Sequence, residues 1–207
     1  MENSPLLPSR PKLVAAAMTI LAALAIAALA LTQLPSNGSI GSGTALIGGP
    51  FTMLNQKGEA VTDKDFKGRY TLYFFGFTHC QDVCPTELQI MAAAFKELGP
   101  DAAKITPVFV SIDPERDTPK VMSDYVINFD PRLVGLTGSP EQVAAMAKVF
   151  HVFYQKVPNP KDPNDYEMDH SAIMYLMDSA GTFVKHFPYT TDAKAMALEL
   201  KKVLQGG

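Results

Sequence analysis

Both cysteines of the chain fall inside one stretch, residues 70–98, which reads YTLYFFGFTHCQDVCPTELQIMAAAFKEL. Residues 70–77 are aromatic and apolar with no charge, which predicts a strand buried on both faces. A short polar loop follows. From Pro85 onward, Leu88, Met91, Ala92 and Phe95 recur at helical spacing, with Pro85 suited to a first helical position and Glu87 in the first turn. A helix is therefore expected to start at or just after Cys84. That places the Cys84 thiol where unpaired N–H groups and the helix dipole favour the thiolate, so Cys84 is expected to have the lowered pKa and to react first. Cys80 lies four residues earlier, in the loop.

Two cysteines in one chain are most simply a structural disulfide. A bridge between Cys80 and Cys84 closes so small a loop that it removes little unfolded-state entropy and staples the domain poorly. Reactivity explains the pair better. A strand, a loop, two close thiols and a helix start are what redox dithiols use, and paired thiolates also suit a soft metal such as Cu(I). Phe74, Phe75 and Phe77 read as plain core.

Residues 13–31 form a run of 19 residues without charge, mostly Ala, Leu, Ile and Val, long enough to cross a hydrocarbon layer of about 30 Å as a helix. Arg10 and Lys12 precede it and no Lys or Arg follows until Lys57, so the positive-inside rule leaves residues 1–12 in the cytoplasm and exports the rest. A cleaved signal peptide ending near Ala28-Leu29-Ala30 competes with this reading. The apolar run exceeds the usual signal core, which favours a retained anchor over residues 13–34. Residues 35–50, rich in Ser and Gly, have the composition of a flexible linker. Residues 51–207 then form one domain, long enough to bury about 70% of its unfolded surface without help from disulfide or metal. Setting aside Glu2, Arg10 and Lys12 leaves 20 acids and 16 bases, and with no basic cluster this excludes nucleic acid as a partner.

Within the domain, residues 51–66 alternate weakly around Gln56-Lys57-Gly58 and predict a small β-hairpin, read as an appendage. Residues 105–112 form a β-branched buried strand ended by Asp113-Pro114. Thr118-Pro119 and Ser139-Pro140-Glu141 open two helices, with a short strand at residues 133–136 between them. A strand at residues 152–157 follows. Residues 158–168, with three prolines and acids, read as a long polar loop with neither helical nor strand period, placing His170 at the end of a mobile arm just before a strand. Two strands turning at residues 178–181 and a last helix over residues 192–204 complete the chain. Strands alternating with helices mean an α/β domain with a parallel sheet. A closing hairpin and last helix are compatible with a thioredoxin-like fold. In such sheets chemistry collects at the carboxyl ends of the strands, where Cys80, Cys84 and Asp113 fall. Asp113 reads as a turn and cap residue, with docking as the alternative.

FGFTHCQDVCP, then SIDPERDTP, then DHSAIMYLMD, together resemble the Sco/SenC family of copper-handling proteins that serve cytochrome c oxidase. One departure is Gln81, where members commonly carry proline. The resemblance implies a thioredoxin-like fold with an N-terminal β-hairpin and insertions. It also implies Cys80, Cys84 and His170 as a three-coordinate copper site, holding Cu(I) and also accessible to Cu(II). The implied acceptor is the CuA centre of cytochrome c oxidase subunit II, with an upstream copper donor and a thiol reductant as further partners. The implied location is the bacterial plasma membrane with the domain in the periplasm, or the mitochondrial inner membrane facing the intermembrane space.

Without the resemblance, a lone histidine before a strand is more often a surface or capping residue than a ligand. His79 adjoins Cys80 and is the rival ligand, but neighbours near a strand end point apart, so it is expected at the edge of the site. His151 ends a helix and His186 lies on a hairpin strand; neither reads as a ligand. The methionines read as core filling. Soft sulfur selects copper over Mg or Ca, and zinc in a structural site usually takes a fourth ligand. Cys80 and Cys84 can also cycle between dithiol and disulfide, which makes a thiol-disulfide oxidoreductase or a peroxiredoxin-like enzyme the alternative function. VCPTE resembles the peroxiredoxin nucleophile segment. Gln81 stands where that family has threonine, and no distant resolving cysteine exists. A third alternative is a tethered binding module with an inert disulfide.

Overall fold

The computed structural model describes residues 46–162 and 165–206, so the expected anchor, residues 13–34, and the linker up to residue 45 lie outside the described residues. Among the described residues no helix is long and apolar enough to cross a membrane.

Strand β1 (Thr52–Asn55) and strand β2 (Ala60–Thr62) form the expected hairpin. Asn55 makes the turn, its side-chain oxygen accepting from the N–H groups of Lys57 and Glu59, while Gly58 takes φ 80°. The hairpin is not an appendage. β1 pairs antiparallel with β5 (Val134–Thr137), setting Leu54 opposite Thr137, because Phe51 and Met53 are core residues that must be covered.

The central strand is β3 (Tyr70–Gly76), parallel to β4 (Ile105–Ser111) and antiparallel to β8 (Ile173–Met177). With β9 (Phe183–Pro188) the sheet has seven strands in the order β2-β1-β5-β4-β3-β8-β9, mixed rather than all parallel. The parallel β3–β4–β5 core, closed by the β8–β9 hairpin and the last helix, agrees with the expected thioredoxin-like arrangement. Alternation along β3 splits its aromatics between two faces. Phe74 meets Phe109 at 6.0 Å on one face, and Tyr73 and Phe75 meet Phe150 at 5.0 and 5.2 Å on the other.

The helices are α1 (Val83–Leu98), α2 (Pro119–Val126), α3 (Pro140–Val149) and α4 (Ala193–Gly206). α2 and α3 start as their sequences require, with Thr118 accepting from the Val121 N–H and Ser139 forming a capping box with Gln142. α1 begins two residues before Pro85. The proline is accommodated because the first four helical N–H groups have no intrahelical partner. Every methionine among the described residues is buried, as core filling requires.

Residue 158 and residues 166–168 of the expected loop lie in strands. β6 (Tyr154–Pro158) and β7 (Tyr166–His170) pair antiparallel in a separate two-stranded sheet, with Tyr154 opposite His170. Tyr166, Met168 and His170 turn inward and Glu167 and Asp169 outward, a period-two pattern obscured in the sequence by the prolines and acids of the tip. His170 therefore ends a strand.

Candidate metal centre

β3 stops at Gly76, and the chain then loops through Phe77, Thr78, His79, Cys80 and Gln81 to Asp82, which precedes α1 without a side-chain capping bond. Cys84 is buried in the first turn of α1, while Cys80, in the loop, is half-exposed; the two are not joined. The Cys84 N–H donates to Cys80 Sγ at 3.4 Å. His170, brought in by β7, places Nε2 3.6 Å from Cys84 Sγ. Its ring lies edge-on to Phe77 at 5.9 Å and Phe74 at 6.5 Å, so apolar walls hold it.

The tautomer follows from its other nitrogen. His170 Nδ1 lies 3.3 Å from the carbonyl oxygen of Ser171, which can only accept, so a hydrogen bond there needs the proton on Nδ1. Nε2 then carries a lone pair and faces the sulfurs, the pattern of a metal-binding imidazole oriented through its second nitrogen.

The two thiols ionise in opposite directions. The hydrogen bond from the Cys84 thiol draws the Cys80 pKa well down, and the N–H groups of Cys84 and Asp82 add to this. Cys84 is pushed up by that same bond and by burial. This reverses the sequence expectation. Cys84 does occupy the helix start, but it is 0% exposed, and desolvation together with a neighbouring thiolate outweighs the helix dipole. The pair therefore loses its first proton at Cys80, and a second loss from Cys84 needs a cation or an electrophile to receive the charge.

Gly76 leaves the space the sulfur occupies. A Cβ there would lie 2.8 Å from Cys84 Sγ and 2.8 Å from Phe109 Cε2. Beyond Phe109, ring to ring at 5.5 Å, is Tyr125, whose buried hydroxyl has no partner among the described residues. Burial and the two sulfurs raise its pKa.

The acids of SIDPERDTP divide into two roles that the motif alone does not separate. Asp117, fully buried, accepts from the Thr78 N–H at 3.1 Å, the Thr78 hydroxyl at 2.6 Å and the Ser111 hydroxyl at 2.6 Å, tying the cysteine loop to the end of β4. Its burial raises its pKa. Asp113, also fully buried, pairs with Arg116 and accepts from the Tyr166 hydroxyl at 2.7 Å. An enclosed carboxylate cannot dock a partner directly, so the structural reading of Asp113 holds.

His79 is exposed, and its charge helps to lower the pKa of Asp165. His186 is exposed beside Phe183, and His151 takes φ 55° just past the end of α3. Asp117, Arg116, Tyr125 and Tyr166 were not singled out as site residues by sequence reasoning. Arg116 and Asp117 at least fall inside a recognised motif, whereas nothing local marks Tyr125 or Tyr166. Among the described residues, no three His, Cys, Asp or Glu side chains are already drawn up as a complete metal cage.

The SCO1/SenC family model matches residues 41–205. The human mitochondrial SCO1 homologue is 47% identical over 151 residues, covering 70% of this chain and 48% of its own. The chain spans about half the length of this relative and of the Arabidopsis thaliana SCO1 homologue 1, at 48% and 46%. Among solved structures, Bradyrhizobium japonicum ScoI with copper bound is 48% identical with a TM-score of 0.70, covering 75% of this chain and 98% of that one. Arabidopsis thaliana ScoI with copper bound is 41% identical with a TM-score of 0.72, covering 77% and 99%. A dithiol at the start of α1, an imidazole brought to it by β7 and a family match across the whole described domain agree, and the chain belongs to the SCO1/SenC family.

Proposed function

We propose that this chain is a membrane-tethered copper-binding protein that delivers copper to, and/or reduces the cysteines of, the CuA site of cytochrome c oxidase subunit II. Sco proteins are cytochrome c oxidase assembly proteins, and the solved relatives from Bradyrhizobium and Arabidopsis carry copper. The observation that carries the reading is the 3.6 Å approach of His170 Nε2 to the sulfur of Cys84, whose own backbone N–H donates to Cys80 Sγ at 3.4 Å. Two sulfurs and one imidazole are a soft, low-coordinate donor set suited to Cu(I) as cargo. Cys80, Cys84 and His170 are the ligands in this reading. Loading would release the proton of Cys84, so that two thiolates and the Nε2 lone pair of His170 would be the donors. Half-exposed Cys80 is the ligand an acceptor cysteine reaches first, so copper leaves by ligand exchange from that side. The tether rests on the apolar run at residues 13–31, which would hold the domain at the outer face of a bacterial plasma membrane or of a mitochondrial inner membrane.

The asymmetric pair also favours a second reading, a thiol-disulfide oxidoreductase. An exposed thiolate attacks an acceptor disulfide, and a buried thiol then resolves the mixed disulfide. The acceptor gains two electrons, with one proton from Cys84 and one from solvent, and Cys80 and Cys84 become a disulfide that a thiol reductant restores. Copper and disulfide exclude each other on the same sulfurs.

Anaerobic Cu(I) titration of the reduced protein against His170→Ala tests the copper reading. The wild type should take one Cu(I), and the variant should bind more weakly or with altered coordination. Its metal-free thiol potential should move by less than about 30 mV, or 1.4 kcal/mol for two electrons. No Cu(I) binding by the wild type would leave the oxidoreductase. Unchanged binding by the variant would remove His170 from the ligand set.

A further inference from the structure

The β6–β7 hairpin shares no ladder with the main sheet, and an isolated two-stranded hairpin is marginal in water. Yet it delivers His170, so its placement against the domain decides where the imidazole lies. Tyr166, Met168 and His170 alternate on its inner face. Met168 is buried in the core, His170 faces Cys84, and Tyr166, four residues from the imidazole, meets the loop after β4.

That meeting is built rather than incidental. Arg116 lays its guanidinium over the Tyr166 ring at 3.8 Å, donates from Nη1 to the Tyr166 carbonyl at 2.9 Å, and pairs through Nε with Asp113. The Tyr166 hydroxyl closes the ring of contacts by donating to the other oxygen of the same buried carboxylate at 2.7 Å. Lys156 on β6 adds a bridge to Glu115 at 2.6 Å and lies 4.4 Å from the Tyr166 centroid. The Arg116 guanidinium also lies 5.8 Å from the ring of Phe77, which borders His170. A planar guanidinium can stack on one residue while it bonds to another, which a lysine cannot do.

We propose that Asp113, Arg116 and Tyr166 form a latch that seats the β6–β7 hairpin and so positions His170 against the sulfur pair. They are positioning residues that touch no metal. The inference rests on the copper reading for its functional consequence, because a latch acting through His170 should govern metal binding and leave the Cys80–Cys84 redox equilibrium alone.

The test uses the full chain in detergent micelles, in four forms: wild type, Arg116→Ala, His170→Ala and the double variant. Cu(I) affinity is measured anaerobically against a colorimetric Cu(I) chelator. Arg116→Ala should weaken binding by about 10- to 100-fold while His170 is present, the usual effect of losing a group that orients a ligand, and should have no further effect once His170 is gone. Tyr166→Phe, which keeps the ring and removes only the hydroxyl, should act in the same direction in a chain that stays folded. The metal-free protein supplies an independent readout, since the imidazole NMR signals of His170 should shift or broaden in Arg116→Ala and Tyr166→Phe. Unchanged His170 signals in both variants overturn the latch whether or not copper binds. An equal loss of affinity with and without His170 also overturns it, because that is the signature of a general structural defect. Failure of the copper reading shows separately, as a wild type that takes no Cu(I) while its His170 signals still respond to the latch variants.

Discussion

Glu87 is an acid in the wrong solvent. It lies on the inner face of α1, is 1% exposed, and its Oε1 has no hydrogen-bond partner among the described residues. Burial alone raises its pKa from 4.5 to about 7. Each pH unit between those values corresponds to about 1.4 kcal/mol, so the buried carboxyl should remove about 3 kcal/mol of stability by neutral pH. The direction follows from which state ionises first. Below 4.5 the carboxyl is protonated in folded and unfolded chains alike and has no effect. As pH rises from 4.5 to about 7 the unfolded chain ionises and the folded chain does not, so stability falls; above that interval the loss is constant. Glu87→Gln keeps the size and removes the titration. Urea unfolding of the domain from residue 46 onward, followed by far-UV circular dichroism because the chain has no tryptophan, should give a variant-minus-wild-type difference that grows by about 3 kcal/mol between pH 4.5 and pH 8. Asp117 also titrates abnormally, but it is common to both proteins and cancels. Parallel pH curves for the two proteins would refute the argument from burial.

The other predictions concern the sulfurs. Gly76→Ala puts a methyl group 2.8 Å from Cys84 Sγ and from Phe109 Cε2. Overpacking of this kind costs about 1–3 kcal/mol, so urea unfolding should show a loss in that range; an unchanged midpoint would mean that the sulfur has room to spare. In the reduced metal-free protein at pH 7, Cys80 should be alkylated before Cys84, as read by peptide mass mapping over time. Faster labelling of Cys84 would return the thiolate to the helix start.

Local sequence determined those parts whose physics is local. The uncharged aromatic run at residues 70–77 reads as a buried strand, and Thr118-Pro119 and Ser139-Pro140 as helix starts, because caps and hydrophobic runs act over a few residues. The candidate site was legible as three separate motifs, and their residues do converge at the carboxyl end of β3. What the tertiary structure decided were the properties that depend on neighbours distant in the chain. Helix position alone selected Cys84 as the thiolate, whereas burial of Cys84 and its hydrogen bond to Cys80 select Cys80. Proline and acid content hid the β6–β7 hairpin, because its strands gain order from Met168 in the core and from Arg116 stacked on Tyr166, 50 residues away in sequence. Asp113 and Asp117 look equivalent in the sequence, and only the chain packed around each makes one hold the histidine hairpin and the other the cysteine loop. Desolvation and pairing belong to the folded environment rather than to the residue, which is why charge states and clamps had to wait for the structure while strands and caps did not.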